Sequence, residues 1–387
     1  MMRRKLLFFI AIMFTLNSLF SNETSLQMTK AFQRPVCQAM FGITSIAFSP
    51  DGQYIAAVGH SDVAQIWAVQ TGKGVFQLQH NDTSVIDKVL YAPNNKYIAT
   101  ITSKDATIWD IQTAKPLYTF TGEPTSVEGL GAAFTSNSQY LLIYNAEGAV
   151  LWNIETGEKV KVFSHHIGVE GYTVDLSSTG KYLLTIGERE IFLWDLETGN
   201  VIHKFEYGDL LIAPDATFLP DGEHILIHAS DAEKDNLSVL NIWDIKQEKF
   251  IKRIDTTQGD LRWSFSTDRQ FILIVNYTSS VVQVWDLQQS KKLLDVSPIL
   301  TAGAFGVFLP DNKRIIVPSD QPAIEENTYD VWNIEQGVKE TSFHEKHGAI
   351  STIISSQDGK YIAVVSEGAI ELWDSQKLEM LRDYCST

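Results

Sequence analysis

The sequence predicts an all-β protein in which eight repeats close into a propeller of four-stranded blades. Three observations predict this fold. Tryptophan recurs at a nearly fixed spacing, a turn and an apolar stretch precede each of these tryptophans, and a strand-like segment follows each of them. Repeats of about 40 residues that each hold several short strands are typical of radial β architectures.

The turn and the second strand of each repeat are the most regular part of the pattern. They read SPDGQYIAAV, APNNKYIATI, TSNSQYLLIY, SSTGKYLLTI, LPDGEHILIH, STDRQFILIV, LPDNKRIIVP and SQDGKYIAVV. Pairs such as Asp-Gly and Asn-Asn supply the positive φ angles that a two-residue hairpin requires. The second strand is apolar at nearly every position, which predicts that both of its faces are covered.

The third strand of each repeat holds the tryptophan, in the segments QIWAV, TIWDI, VLWNI, FLWDL, NIWDI, QVWDL, DVWNI and ELWDS. Trp263 is the one tryptophan of nine outside this set. The fourth strand, for example GVFQLQH or KVKVFSH, alternates apolar and polar residues, as expected for an outer strand with one wet face. Eight complete units predict eight blades; seven is the alternative if two degenerate units merge.

These repeats resemble those of WD-repeat β-propellers, and the resemblance runs from about Gln27 to the C-terminus, so we expect a single domain over 27–387. The family usually has seven blades. The Gly-His dipeptide that precedes the first strand in that family is missing from almost every repeat, and His347-Gly348 has it in reversed order. We therefore do not carry over the family's Asp–His–Ser–Trp tetrad. The resemblance implies architecture and leaves function open.

The N-terminal segment 1–21 resembles a secretory signal peptide, because the basic MMRRK precedes an apolar stretch that decays into TLNSLFSNE. The apolar part is too short for a spanning helix. We expect export to a periplasm or to the medium, with no stable membrane span after cleavage. The cleavage position is approximate.

The two cysteines of the chain, Cys37 and Cys385, lie in the segments before the first repeat and after the last tryptophan. Either segment could complete the eighth blade. Ring closure brings both segments together, and an oxidising compartment favours pairing, so we expect a disulfide; two unrelated thiols are the alternative.

Charge limits the classes of partner. The formal net charge is −16, and no basic run lies outside the extreme N-terminus. Nucleic acid binding normally needs a clustered Lys/Arg surface, so we expect no nucleic acid partner. A protein partner, basic in character, fits better. The sequence predicts no cofactor and leaves the oligomeric state open.

Two insertions interrupt the regular spacing and predict where a partner binds. The distance from the first residue of the second strand to the tryptophan of the same repeat is 12 residues in the second repeat, from Tyr97 to Trp109. In the fifth repeat, from His224 to Trp243, it is 19 residues. Loops on a rigid scaffold commonly carry binding, which favours 228–239 and 317–329. The candidate contact residues are the acidic ones in these loops: Asp231, Glu233, Asp235, Asp320, Glu325 and Glu326.

The sequence predicts neither a metal site nor catalysis. The first loop lacks the glycine and the closing glutamate of an EF-hand, since Asn236 and Ile242 stand at those positions. His344 and His347 lack a partner pair at zinc-like spacing and are interpreted as surface residues. No nucleophile elbow or phosphate loop is present. We expect a non-catalytic protein-binding scaffold; the alternative is an exported propeller hydrolase, lyase or oxidoreductase with its site at the channel mouth.

Overall fold

The computed structural model describes residues 42–80, 84–121, 130–145, 148–164, 173–187, 190–206, 215–231, 237–256, 261–276, 278–297, 306–319, 328–345, 347–348, 350–366 and 369–384. These residues form eight four-stranded antiparallel sheets arranged as a propeller, in which sequential strands are neighbours. The predicted fold class is confirmed, with eight blades and not seven. In this part of the chain we find no helix that is long and apolar enough to span a membrane.

Each blade contributes one strand to each of four positions, from the channel outward. The first, innermost strands are β1 (Ile43–Phe48), β5 (Ile86–Tyr91), β9 (Gly131–Phe134), β13 (Thr173–Leu176), β17 (Asp215–Phe218), β21 (Leu261–Phe265), β25 (Val307–Phe308) and β29 (Thr352–Ser355). The second strands are β2 (Tyr54–Gly59), β6 (Tyr97–Thr102), β10 (Tyr140–Asn145), β14 (Tyr182–Ile186), β18 (His224–Asp231), β22 (Phe271–Asn276), β26 (Arg314–Pro318) and β30 (Tyr361–Ser366).

The third strands carry the repeated tryptophans, and the fourth strands form the rim. The third strands are β3 (Val63–Ala68), β7 (Asp105–Asp110), β11 (Gly148–Asn153), β15 (Glu190–Asp195), β19 (Leu237–Asp244), β23 (Val281–Asp286), β27 (Thr328–Asn333) and β31 (Ala369–Asp374). The fourth strands are β4 (Gly74–Gln79), β8 (Lys115–Thr121), β12 (Lys159–Ser164), β16 (Val201–Glu206), β20 (Lys249–Asp255), β24 (Lys291–Val296), β28 (Val338–His344) and β32 (Met380–Asp383).

The turn between the first and second strands is longer than the predicted two-residue hairpin. In blade 1 it covers residues 49–53, closed by a hydrogen bond from the Ser49 N–H to the Tyr54 carbonyl at 2.9 Å. The Asp51 carboxylate accepts from the Ser49 hydroxyl at 2.6 Å and from the Gln53 N–H at 3.0 Å. These side-chain bonds stabilise a wider turn. The expected positive φ is nevertheless present, at 68° for Gly52.

The hydrophobic core consists of eight clusters, and each cluster lies between two neighbouring blades. The second strands are covered on both faces as predicted: Ile55 and Ala56, which point to opposite sides of β2, are both fully buried. In all eight blades the pairing of the third and fourth strands shifts register next to the tryptophan. The repeated β-bulge bends each outer strand in the same way.

The ring closes between blades 8 and 1 without a strand exchanged between them in the described residues. Blade 8 is completed by β32, from the segment that follows the last tryptophan. The Tyr384 ring lies 5.6 Å from the Trp67 ring of blade 1, within the cluster that joins the two blades. Cys37 and Cys385 lie outside the described residues, as does segment 1–21, so the disulfide and the signal peptide stay predictions.

Candidate functional site

The propeller has two faces because the strands of each blade run in alternating directions. The turn face carries the turns that join the first strand to the second and the third to the fourth. The loop face carries the connections from the second strand to the third and from one blade to the next. Both predicted insertions therefore belong to the loop face.

In blade 5 much of the inserted segment is strand instead of loop. β18 and β19 are eight residues long, and their pairing continues through Ala229 with Val239 to Asp231 with Leu237. The prediction of a loop over 228–239 is therefore wrong for its two ends, because added ladder pairs satisfy backbone groups that a loop would leave exposed. Glu233 and Asp235 lie outside the described residues, and the binding role of this acidic segment stays a prediction.

In blade 7 the second insertion begins where β26 ends at Pro318 and ends where β27 begins at Thr328. Asp320, Glu325 and Glu326 lie outside the described residues. A cleft of about 200 Å³ lies beside this insertion, between blades 6 and 7. It is lined by Asp295, Val296, Ser297, Val317, Pro318, Asp330 and Trp332.

The two carboxylates of the cleft differ in their surroundings. Asp330 is only 1% exposed; it accepts a hydrogen bond from the Ser342 hydroxyl at 2.6 Å and lies 3.4 Å from the Lys339 ammonium. Asp295 is exposed on the outer strand of blade 6 and pairs with Lys292. Asp330 is therefore a buried part of the cleft wall, while Asp295 is solvent-exposed and also accepts a hydrogen bond from the Gln283 side chain at 3.2 Å.

Blade 2 contains the hydrogen-bonded tetrad that the sequence analysis did not carry over. The Thr100 hydroxyl lies 2.6 Å from Nε2 of His80 and accepts a hydrogen bond from Nε1 of Trp109 at 2.7 Å. Nδ1 of His80 lies 3.3 Å from Asp105. The interpretation that the tetrad cannot be carried over is wrong for this blade, because His80 takes the histidine position without a preceding glycine. The signal was a histidine directly after an outer strand.

The hydrogen-bond partner of the repeated tryptophan differs among the blades. In blade 4 Trp194 donates to the Thr185 hydroxyl at 2.9 Å, as Trp109 does in blade 2. In blade 6 Trp285 donates instead to the Gln283 side chain, two residues earlier on the same strand, at 3.1 Å. The indole partner thus moves from the second strand to the third. The same shift occurs in blade 8 with a charged residue.

Blade 8 gathers three titratable side chains that sequence reasoning missed as a group: Glu345, His347 and Glu371. Glu371 lies two residues before Trp373 and accepts its indole N–H at 2.9 Å. Nε2 of His347 lies 3.6 Å from the Glu371 carboxylate and 3.2 Å from Asp383. The available signal was a glutamate in the otherwise apolar third strand, where Gln283 stands in blade 6.

Both glutamates of this cluster are buried. Glu345 is 1% exposed and Glu371 is 3% exposed. Burial raises the pKa of Glu371, and the negative charge of Glu345 and a side-chain hydrogen bond with Glu345 raise it further, while the bond from Trp373 and the proximity of His347 oppose the rise. Among the described residues, Oε2 of Glu345 has no hydrogen-bond partner. Among the described residues, the cluster therefore combines two buried carboxyl groups with one histidine.

Comparison with known proteins gives two matching family models. The model of the NWD2 C-terminal beta-propeller matches residues 75–297. The model of the WD domain, G-beta repeat, matches residues 36–68 and 338–374. Together these matches include residues from all eight blades.

Similar curated proteins match a short part of the chain. The chain is 31% identical over 70 residues to the small ribosomal subunit protein RACK1 of Brassica napus, covering 18% of this chain and 21% of that protein. It is 27% identical over 73 residues to RACK1 of Drosophila melanogaster, covering 19% and 22%. It is 25% identical over 83 residues to the cross-pathway control WD-repeat protein 2 of Flammulina velutipes, covering 20% and 26%. The chain thus spans about a fifth to a quarter of the length of these relatives.

Proposed function

This chain belongs to the NWD2 C-terminal β-propeller family of WD-repeat proteins, and on that premise we propose that it is a non-catalytic scaffold that binds a basic protein partner on its loop face. The relatives support a role in assemblies, since two of those reported above are named as small ribosomal subunit proteins. A rigid ring of eight blades holds its loops in fixed positions, which suits the binding of a partner.

The cleft between blades 6 and 7 carries the proposal. It lies beside the insertion 317–329 and combines apolar walls from Val296, Val317 and Trp332 with the exposed carboxylate of Asp295. This combination suits a lysine or arginine side chain, because the aliphatic stem packs on the walls while the charged head reaches the carboxylate. An arginine would also stack on the Trp332 ring. The net charge of −16 attracts a basic partner over longer distances.

The proposal also includes the cellular compartment in which the protein acts. The signal-like segment 1–21 supports export to a periplasm or to the medium, and the partner would then be an envelope or extracellular protein. Sequencing the N-terminus of the chain recovered from that compartment tests this step. A chain that keeps residues 1–21 in the cytoplasm would contradict it.

The binding proposal is tested with the chain lacking residues 1–21 as bait, after which the captured partner is purified and its affinity measured. We expect Asp295→Lys and a deletion of 321–326 each to weaken binding at least tenfold, because the first reverses a charge that lines the cleft and the second removes acidic residues of the predicted binding loop. Glu335→Lys is the matched control, since it makes the same charge change in blade 7 at an exposed position of the turn face. Equal affinities for Asp295→Lys and Glu335→Lys would contradict the proposal.

The competing function, a propeller hydrolase, lyase or oxidoreductase, needs titratable side chains from several blades to converge at the channel mouth. Among the described residues, the group of three with metal-ligand geometry lies on β31 and in the segment before blade 8. Its three residues belong to blade 8 and the connection that leads into it, and do not come from several blades around the channel. This placement favours the scaffold.

A further inference from the structure

We propose that Glu345, His347 and Glu371 form a binding site for a divalent transition-metal ion, for which Zn²⁺ is the best match to the donors. The site lies on the loop face of blade 8, apart from the cleft of the proposed function. Three observations carry the inference: the distances between the donor atoms, an uncompensated buried carboxylate, and bonds that orient both carboxylates.

The donor atoms have the spacing that a metal ion requires after small side-chain rotations. One ligand atom from each residue lies within 4.8 Å of the other two, and Nε2 of His347 is 3.6 Å from the Glu371 carboxylate. Ligands about 2.1 Å from a zinc ion stand roughly 3.4 Å apart in a tetrahedral site. Asp383, 3.2 Å from the same Nε2, is placed to supply a fourth donor.

The charge balance of the cluster calls for a cation. Glu345 and Glu371 are each at least 97% buried, and Oε2 of Glu345 is buried without a hydrogen-bond partner among the described residues. Removing a carboxylate from water without compensation is strongly unfavourable. His347 is the basic group that faces them in the described structure, and it is also close to Asp383. A divalent ion would neutralise the pair of glutamates.

Each glutamate is held through one oxygen and leaves the other for a ligand. Oε2 of Glu371 accepts the indole N–H of Trp373 at 2.9 Å, and Oε1 faces His347. Oε1 of Glu345 accepts the backbone N–H of His347 at 3.0 Å and lies 3.4 Å from the Ser366 hydroxyl, while Oε2 is unpartnered. Such outer hydrogen bonds are what normally orient metal ligands.

A hydrogen-bond partner for the tryptophan of the blade does not require two glutamates and a histidine. Blade 2 satisfies its tryptophan through Thr100, and blade 6 does so through the neutral Gln283. Blade 8 instead has two buried glutamates and a histidine at the corresponding place. The additional charge is the feature that a metal ion accounts for.

The test is zinc binding to the metal-stripped, tag-free chain, measured by calorimetry, together with the visible absorption of Co²⁺ as a replacement ion. We expect one ion per chain and Co²⁺ bands that Zn²⁺ abolishes. Glu345→Gln, His347→Asn and Glu371→Gln should each weaken binding at least tenfold. Glu371→Gln keeps an acceptor for Trp373, as Gln283 provides for Trp285, so this variant is expected to fold.

His224→Asn is the matched control. Its ring lies 2.7 Å from Asp221 and 3.5 Å from Asp244, so it is also a histidine between two carboxylates, but without the unpartnered buried oxygen. We expect this variant to bind zinc as the parent does. The proposal would be overturned if the parent bound neither ion, or if Glu345→Gln and Glu371→Gln bound zinc with unchanged affinity. A proton shared by the two glutamates would then explain the cluster.

Discussion

The guanidinium of Arg382, in the last strand, donates a hydrogen bond to the backbone carbonyl of Gln70 in blade 1 at 2.8 Å. A second bond reaches the carbonyl of Thr71 at 2.9 Å. Lys252 makes the equivalent contact inside the ring, from the outer strand of blade 5 to the Leu287 carbonyl of blade 6, at 2.7 Å. The junction of the last and first blades is thus built like an internal one.

Loss of the Arg382 side chain should loosen this junction. We expect Arg382→Ala to lower the free energy of unfolding by about 1 to 2 kcal/mol, because two hydrogen bonds from a charged donor are lost. Lys252→Ala is the control, since blades 5 and 6 stay joined by the chain. Amide exchange should rise in blades 1 and 8 only for Arg382→Ala; equal rises in both variants would contradict a special role of the junction.

Gly72 lies under the same arginine. Its φ is +69°, and a Cβ at this position would overlap Cδ of Arg382. Gly337 in blade 7 has a φ of +66°, and a Cβ added at this position would have no other atom within 4 Å. We expect Gly337→Ala to cost about 1 kcal/mol through backbone strain, and Gly72→Ala to cost measurably more. Adding Arg382→Ala should remove the difference; in denaturant unfolding, equal values for the two glycine variants would refute the contact.

The hydrogen-bonded group of blade 2 predicts a difference between two threonines. Thr100→Val leaves both His80 and Trp109 buried without their partner, which should lower stability by about 3 kcal/mol. Thr185→Val breaks the described bond to Trp194 alone and should cost about 1 to 2 kcal/mol. Valine preserves the side-chain volume in both cases. Equal losses, measured by urea unfolding, would show that the contact of His80 contributes nothing.

The sequence predicts the blades well because their signals are local. The turn, the apolar second strand and the tryptophan of each unit lie within about 20 residues of one another, and both faces of β2 are buried as the apolar run indicates. The hydrogen-bond partners of buried polar groups, by contrast, lie far away in the sequence. His80 meets Thr100 across a blade boundary, and Glu345 meets Glu371 only when blade 8 is assembled, so neither pair has a signature in the spacing.

The insertions show a second limit. A longer gap between the second strand and the tryptophan indicates extra residues but not their conformation. In blade 5 they extend the ladder as far as the pair of Asp231 with Leu237. In blade 7, by contrast, β26 ends at Pro318, a residue with no N–H to donate to the ladder. The proline can be read in the sequence, whereas the spacing between the second strand and the tryptophan does not indicate that the pairing in blade 5 continues.

The pH dependence of stability should report the buried Glu371. Its pKa is raised from 4.5 in the folded chain, mainly by burial. Between 4.5 and the raised folded-state pKa, the unfolded chain loses this proton first, so stability falls as pH rises through that window. Glu371→Gln should remove this fall in metal-free buffer, while the exposed Glu335→Gln should not. His347, Glu345 and Asp383 face the same group in both proteins. Parallel stability curves for the parent and Glu371→Gln would be the contrary result.

The closing contact also bears on Cys37 and Cys385. Tyr384, the last described residue, packs on Trp67 of blade 1, and Gly42, the first described residue, leads into that same blade. We therefore predict one disulfide between Cys37 and Cys385 in the exported chain. Thiol labelling without reductant should give no modified cysteine, and Cys385→Ser should lower the free energy of unfolding by up to about 5 kcal/mol in the chain-entropy model. Two labelled thiols in the unreduced parent would contradict this prediction and would mean that non-covalent contacts, among them those of Arg382 and Tyr384, close the ring.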